Sequence, residues 1–186
     1  MRERDDRIQP VAELGRKLPV DRLVIVAFPP VAREAERLTR LINQILDMAK
    51  LESGRAEWTT AEVDLGEVAR ETMESLGQLF REKGVTLEGE IPAQGPVVLA
   101  DRDRLTQVMI NLLSNAIKYN RPGGTVVVTC AASAPGRIRI CVEDTGEGLS
   151  PADIAQLFQP FNRLGQGATT EEGTGIGLVV SKRLVE

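Results

Sequence analysis

Three segments of the 186-residue chain carry residue types at spacings that could do chemistry. The first is Asn111-Leu112-Leu113-Ser114-Asn115-Ala116-Ile117-Lys118-Tyr119. Its pattern is helical, and Asn111, Asn115 and Lys118 then share one face. An amide oxygen is a hard, neutral ligand suited to Mg2+, which keeps several waters and also takes phosphate oxygens. A lysine beside it can neutralise phosphate charge. Read alone, the same face is also that of a polar stripe on a surface helix. The second segment is Asp144-Thr145-Gly146-Glu147-Gly148-Leu149, directly after a predicted strand. A carboxylate at a strand end can accept a hydrogen bond from an adenine amino group. Gly146 and Gly148 let the backbone turn and lie close to a flat base. The simpler reading is an Asp-Thr-Gly turn.

The third segment, Gly173-Thr174-Gly175-Ile176-Gly177-Leu178, opens the last predicted helix. Glycines there bare backbone amides at the positive end of the helix dipole, which attracts phosphate. No Gly-Lys-Ser/Thr follows, so it is not a Walker loop. Nor does it sit between the first strand and helix of a dinucleotide-binding unit. A plain glycine-rich connector is the alternative. Between the second and third segments runs Phe158-Gln159-Pro160-Phe161-Asn162-Arg163-Leu164, then Gly165 to Gly173. The two phenylalanines are expected to anchor a stretch whose composition suits a mobile lid. Arg163 could reach a terminal phosphate, or be a solvated surface arginine.

The elements that must position these segments follow from periodicity. A short strand is expected at Glu62–Asp64. Leu65 to about Glu82 is amphipathic, with Leu65, Val68, Ala69, Thr72, Met73, Leu76, Leu79 and Phe80 on one face and Gly84 as the stop. Val85–Ile91 and Val97–Ala100 read as strands. Asp101 is a good N-cap for a helix running to about Tyr119. Pro122-Gly123-Gly124 turns the chain. Thr125–Ala132 and Arg137–Glu143 form a hairpin through Ser133-Ala134-Pro135-Gly136. A short helix starts near Ser150-Pro151, and a final one near Ile176. The fold class is α+β, with helices on one face of a mixed sheet. Upstream, residues 1–30 are expected to be weakly structured, punctuated by Pro10, Pro19, Pro29 and Pro30. A helix then carries Leu38, Leu41, Ile42, Ile45, Leu46 and Ala49 to a stop at Ser53-Gly54. That stripe packs on its own domain or on another chain, and a helix leading in from outside favours the second.

Composition narrows the function. Aromatics are 3% and the net charge is -4, which disfavours nucleic acid as a partner. Near the start, the longest apolar run is Leu23 to Phe28, far short of the ~20 residues of a membrane span. A cytoplasmic chain is expected, though a parent protein could be membrane-anchored. Cys130 and Cys141 fit neither zinc nor redox spacing and read as free thiols on neighbouring strands. The chain contains no histidine, so it can carry neither His-based acid–base chemistry nor a phosphohistidine of its own.

The ordered set resembles the ATP-binding domain of sensor histidine kinases, within the wider superfamily of gyrase, Hsp90 and MutL. Asn111–Tyr119 is similar to the N box, Asp144–Leu149 to the first glycine box, Phe158–Phe161 to the F box and Gly173–Leu178 to the second glycine box. The resemblance covers about residues 62–186. It implies a Bergerat-type α/β sandwich over residues 55–186, preceded by a dimerisation-type helix over 31–54 and a poorly defined segment over 1–30. It implies ATP and Mg2+ as ligands, with Asn115 on the metal and Asn111 beside it near the phosphates. Lys118 would contact phosphate, Tyr119 would pack by the base, and Asp144 would read the adenine amino group. Gly146, Gly148, Arg163, Gly173, Thr174, Gly175, Gly177 and Leu178 would complete the nucleotide site. Hydrolysing relatives carry a glutamate where Asn111 stands. Asparagine cannot accept a proton from water, which favours phosphoryl transfer to a protein acceptor over free ATP hydrolysis.

Two departures stand out. The family's phosphoacceptor His-Glu-Leu-Arg-x-Pro segment is absent ahead of Leu38. Its final glycine turn and β-hairpin are absent after Glu186. The expectation is therefore a chain shortened at both ends, with a sheet edge or apolar surface left uncovered. It would transfer phosphate only to a histidine elsewhere, with a response regulator receiver domain downstream and homodimerisation through the 31–54 helix in the intact parent. The alternative is an ATP-binding module without catalysis, or a regulator of the anti-sigma serine kinase type.

Overall fold

The predicted amphipathic run becomes a helix, α1 (Leu65–Lys83), after a short strand, β1 (Thr60–Asp64). The computed structural model describes residues 34–35, 38–39, 41–43, 45–46, 48–49, 53, 58–162 and 174–186. Asp64 caps α1 by accepting the Glu67 N–H at 2.9 Å. Gly84 ends it with φ 66°, a conformation that glycine adopts without steric cost. Val68, Ala69, Thr72 and Phe80 are buried on the inner face. Leu79, expected among them, is 38% exposed. Near the helix end the chain reverses on the Phe80 side instead, where the Val85 N–H reaches the Phe80 carbonyl at 3.0 Å.

Strands β2 (Thr86–Glu90) and β3 (Val97–Asp101) lead to the helix α2 (Arg102–Lys118), capped by Asp101 as its residue type predicts. The hairpin is β4 (Thr125–Ala134) and β5 (Arg137–Asp144), turning at Pro135-Gly136 with Gly136 at φ 70°. A single turn, α3 (Pro151–Ile154), carries proline in its first turn, and α4 (Gly177–Val185) closes the described chain.

The expected mixed sheet has the order β2-β4-β5, with β2 parallel and β5 antiparallel to β4. Thr86 pairs with Thr125, so the crossover between the parallel strands contains β3 and α2. Strands β1 and β3 form a separate antiparallel ladder, Thr60 opposite Asp101. Alternation on β4 buries Val126, Val128 and Cys130 on one face. There Val126 and Val128 meet Val68, Ala69 and Phe80 of α1 and Met109, Leu113, Ala116 and Ile117 of α2, with Ile140 and Val142 of β5 packed alongside. Cys130 lies opposite Ile140 and Cys141 opposite Thr129, so the two free thiols point to opposite faces. Burial pushes the Cys130 thiol up.

The chain divides into two units, Met1–Thr39 and Arg40–Glu186. In the first, the described residues among 34–39 are helical and Leu38 is exposed. In the second, the described residues among 41–49 are helical, the Ser53 N–H reaches the Ala49 carbonyl, and Ile42, Ile45 and Leu46 are exposed. Residues 1–30, Arg163, Gly173 and the expected lid between them lie outside the described residues. Among the described residues no helix is long and apolar enough to cross a membrane.

Two aspartates tie the framework to pH. The Glu67 N–H, helped by that of Gly95, holds the Asp64 carboxyl below its ordinary range. The Thr59 N–H, with that of Arg104, does the same for Asp101. A carboxylate depressed in the folded state stabilises fully above its unfolded pKa, about 3.9. That contribution is lost as pH falls through the lower, folded value. The melting temperature is therefore expected to hold down to about pH 4 and to drop below it. In the double variant Asp64→Asn and Asp101→Asn the drop should be shallower. An equally steep drop in circular-dichroism melts would show that other groups set the acid limit.

Candidate functional site

Helix α2 divides its residues cleanly. Leu113, Ala116 and Ile117 enter the core, and the opposite face carries Asn111, Asn115 and Lys118. The Asn111 Nδ2 donates to the Gly177 carbonyl at 3.3 Å and to Ser181 Oγ at 3.2 Å. This clamps α2 to the first turn and middle of α4. A Cβ on Gly177 would sit 3.4 Å from Asn111 Oδ1, at ordinary contact distance, so the two helices meet closely here. Asn115 lies one turn further on, half-buried, and its side-chain amide makes no hydrogen bond among the described residues. Lys118 Nζ donates to the Tyr119 hydroxyl at 2.8 Å, and Tyr119 is exposed.

The other end of α2 meets the glycine-containing loop after β5. A Cβ on Gly146 would collide with the Tyr119 carbonyl oxygen and lie 2.8 Å from Asp144 Oδ1. The Gly146 N–H donates to that same Oδ1 at 2.8 Å, so one carboxylate oxygen of Asp144 is held in place. Asp144 is exposed, and its Oδ2 is available to a donor from outside. Gly148 takes φ 72° with open space around it.

The third segment sits against the first. Helix α4 has Ile176 as its N-cap, whose side chain makes no capping bond to the first amides of the helix, while the Ile176 N–H itself donates to Thr174 Oγ1 at 3.4 Å. Gly175 takes φ 68°, and its carbonyl accepts the Phe161 N–H at 3.0 Å. Thr174, Gly175, Gly177 and Leu178 are all half-buried. Phe158 and Phe161, expected to anchor the stretch that follows, are 44% and 62% exposed. They attach in other ways. The Phe158 ring lies 4.8 Å from Lys182 Nζ, and Phe161, at φ 63°, bonds through its backbone.

Helix α2 thus gathers the segments along one edge. Asn111 meets α4, Tyr119 meets the Asp144 loop, and Asn115 stands between, one turn from each. Arg163 and Gly173 are outside the described residues. Sequence reasoning missed Ser181, Asn120 and Thr125, and gave Thr145 no role. A serine buried within the apolar helix α4 was a readable signal. The bonding of Asn120 to Thr145 was not, since 25 residues separate them.

Among the described residues no group of three or more His, Cys, Asp or Glu could hold a metal ion. A metal at this site would take a protein amide and phosphate oxygens, as Mg2+ readily does. A cavity of about 450 Å³ lined by Trp58, Val98, Leu99, Leu105, Ile138 and Val185 contains none of the expected site residues.

Residues 100–186 match the family described as histidine kinase-, DNA gyrase B-, and HSP90-like ATPase. The chain is 35% identical over 161 residues to drug sensory protein A of Synechocystis sp., covering 82% of this chain and 24% of that protein. It is 31% identical over 159 residues to the adaptive-response sensory kinase SasA of Synechococcus elongatus, covering 86% and 41%. It is 40% identical over 141 residues to the histidine protein kinase DivJ of Caulobacter vibrioides, covering 76% and 24%. The chain therefore spans less than half the length of these relatives. Among solved structures, full-length ShkA in complex with AMPPNP superposes with a TM-score of 0.72 at 31% identity, over 88% of this chain and 34% of that one. The catalytic domain of the histidine kinase ThkA superposes at 0.59 and 27% identity, over 70% and 81%. The motifs, the fold and these likenesses agree: residues 100–186 carry the histidine kinase-, DNA gyrase B- and HSP90-like ATPase domain, and most of the chain is similar to sensor histidine kinases.

Proposed function

We propose that this chain holds Mg-ATP along the polar face of α2 and passes its γ-phosphoryl group to a histidine on another chain. The observation that carries the reading is the uncommitted Asn115 amide, set one turn from α4 on one side and one turn from the Asp144 loop on the other. The leading amides of α4 face phosphate, Lys118 adds positive charge, and Asp144 Oδ2 accepts the adenine amino group, beside which Tyr119 packs. Gly146 and Gly148 give the base its flat approach, and Thr174, Gly175, Gly177 and Leu178 form the turn into α4. Arg163 and Gly173 belong to the same nucleotide site by the family resemblance. Mg2+ held by Asn115 would neutralise charge on the phosphate oxygens.

Asn111 supports transfer over hydrolysis. Its donating amide nitrogen is spent on Gly177 and Ser181, a structural task, and an amide is no base for water. In the proposed organisation a dimerisation-type helix over 31–54 precedes an ATP-binding domain over 55–186. The exposed Ile42, Ile45 and Leu46 suit a homodimer interface there. The phosphoryl group then passes to a response regulator receiver domain.

The test is to mix the chain with γ-labelled ATP, Mg2+ and a separate histidine-bearing dimerisation domain from a related kinase. Label is expected on the added domain, stable to alkali and lost in acid. Acid-stable label on serine would point to the anti-sigma type. No labelled domain under any condition would reject the transfer reading.

A further inference from the structure

The loop that carries Asp144 is fastened to the body of the domain through its neighbour, Thr145. The Thr145 hydroxyl donates to Asn120 Oδ1 at 3.0 Å and accepts the Thr125 N–H at 2.9 Å. The Thr145 N–H donates to the Thr125 carbonyl at 3.1 Å, and Asn120 Nδ2 reaches that same carbonyl at 3.2 Å. The Arg121 N–H donates to Asn120 Oδ1 at 3.0 Å, fixing the amide's orientation. Donor and acceptor roles of the hydroxyl are both occupied. Space is as constrained as bonding. A Cβ on Gly124 would collide with Asn120 Oδ1 and come within 2.6 Å of Thr145 Oγ1. Asp144 itself is held by Gly146 on the far side of Thr145. The direction of the free Asp144 oxygen therefore follows from where Thr145 is seated, and hydrogen-bond strength falls steeply with misdirection.

We infer that Thr145, seated on Asn120, is a positioning residue that aims Asp144 and so sets selectivity for a purine nucleotide bearing a 6-amino group. The inference rests on the proposed reading of Asp144 as the acceptor for that group. Thr145 acts through Asp144 and does not itself touch the base. Valine at 145 keeps the shape but offers neither donor nor acceptor. It leaves Asn120 Oδ1 and the Thr125 N–H short of a partner, and the loop is released from its seat.

The test is calorimetry on the full chain in Mg2+, comparing ATP with purine riboside triphosphate, which lacks the amino group. The unaltered chain should prefer ATP by about tenfold or more, the range of a hydrogen bond to a charged acceptor. Thr145→Val should bring the two affinities to within about threefold, and Thr145→Ser should restore the preference. A purely structural role would weaken both nucleotides together and leave their ratio unchanged. A Thr145→Val protein with the original ratio would overturn the inference. If valine prevents folding, Asn120→Ala removes the acceptor of Thr145 together with the bonds of Asn120 to Arg121 and Thr125, and its ratio is read in the same way. A chain that binds both nucleotides equally before any substitution would instead refute the reading of Asp144, and the inference with it.

Discussion

Asn115→Ala is expected to abolish most Mg2+-dependent nucleotide binding while leaving the fold intact. The side chain is half-buried and makes no hydrogen bond among the described residues, so its removal breaks no internal hydrogen bond there. Its backbone carbonyl still accepts the Tyr119 N–H at the helix end, since that bond does not depend on the side chain. The core residues of α2 are on the opposite face. Folding cost is therefore small, and helix propensity slightly favours alanine. Loss of Asn115 as the proposed metal ligand is expected to weaken Mg-ATP at least as much as loss of an outer-shell partner, on the order of 10–100-fold. Calorimetry with and without Mg2+ separates the effects: affinity in EDTA should change little. An Asn115→Ala protein that binds Mg-ATP like the original would remove Asn115 from the metal site.

Gly146→Ala is the second large effect, and it should strike stability and binding together. The added methyl group meets a backbone atom, the Tyr119 carbonyl, which cannot swing aside as a side-chain tip can. It also crowds Asp144 Oδ1, the atom the Gly146 N–H now holds. Either α2 shifts from the loop, or the loop lifts and Asp144 loses its aim. Overpacking of this kind costs about 1–3 kcal/mol. Affinity for ATP should fall by about tenfold or more, because the base and its acceptor separate. Gly123→Asn is a suitable control. Gly123 takes φ 70° with nothing near its would-be Cβ, and asparagine tolerates that conformation. Its melting temperature should barely move. If Gly146→Ala melts and binds like the original chain, the close approach of the loop to Tyr119 is not a constraint.

Much of this was legible beforehand, for local reasons. The caps Asp101 and Ser150, the stop at Gly84 and the in-out division of α2 depend on residues within one helical turn of one another. The sequence therefore contains the whole signal. What failed depends on distant neighbours. Phe158 and Phe161 were legible as anchors, but not how they attach: the lysine beside one ring and the positive φ of the other depend on residues far along the chain. The separate pairing of β1 with β3 could not be read, since two short strands carry no label for their partner. In the site, residue types identified Asn111 and Asn115 together, but not their division of labour. Only the proximity of Gly177 and Ser181 shows that one amide is spent on holding helices, while the other makes no hydrogen bond among the described residues.

The crossover between β2 and β4 bears on how the domain folds. The connection between two parallel strands contains the very helix that bears Asn111 and Asn115. Parallel pairing at this sequence separation is slow to nucleate, because a long loop must close before any ladder bond forms. Until it does, the sheet on which α2 lies lacks β2 and has only the β4–β5 hairpin. The domain is complete only once that closure and the docking of α4 on Asn111 have both occurred. A nucleotide that binds only the closed form adds its binding free energy to the stability of the whole domain and not to a local segment. Nascent chains would gain nothing from ATP until the last helix has docked, after which the nucleotide slows their unfolding as a unit.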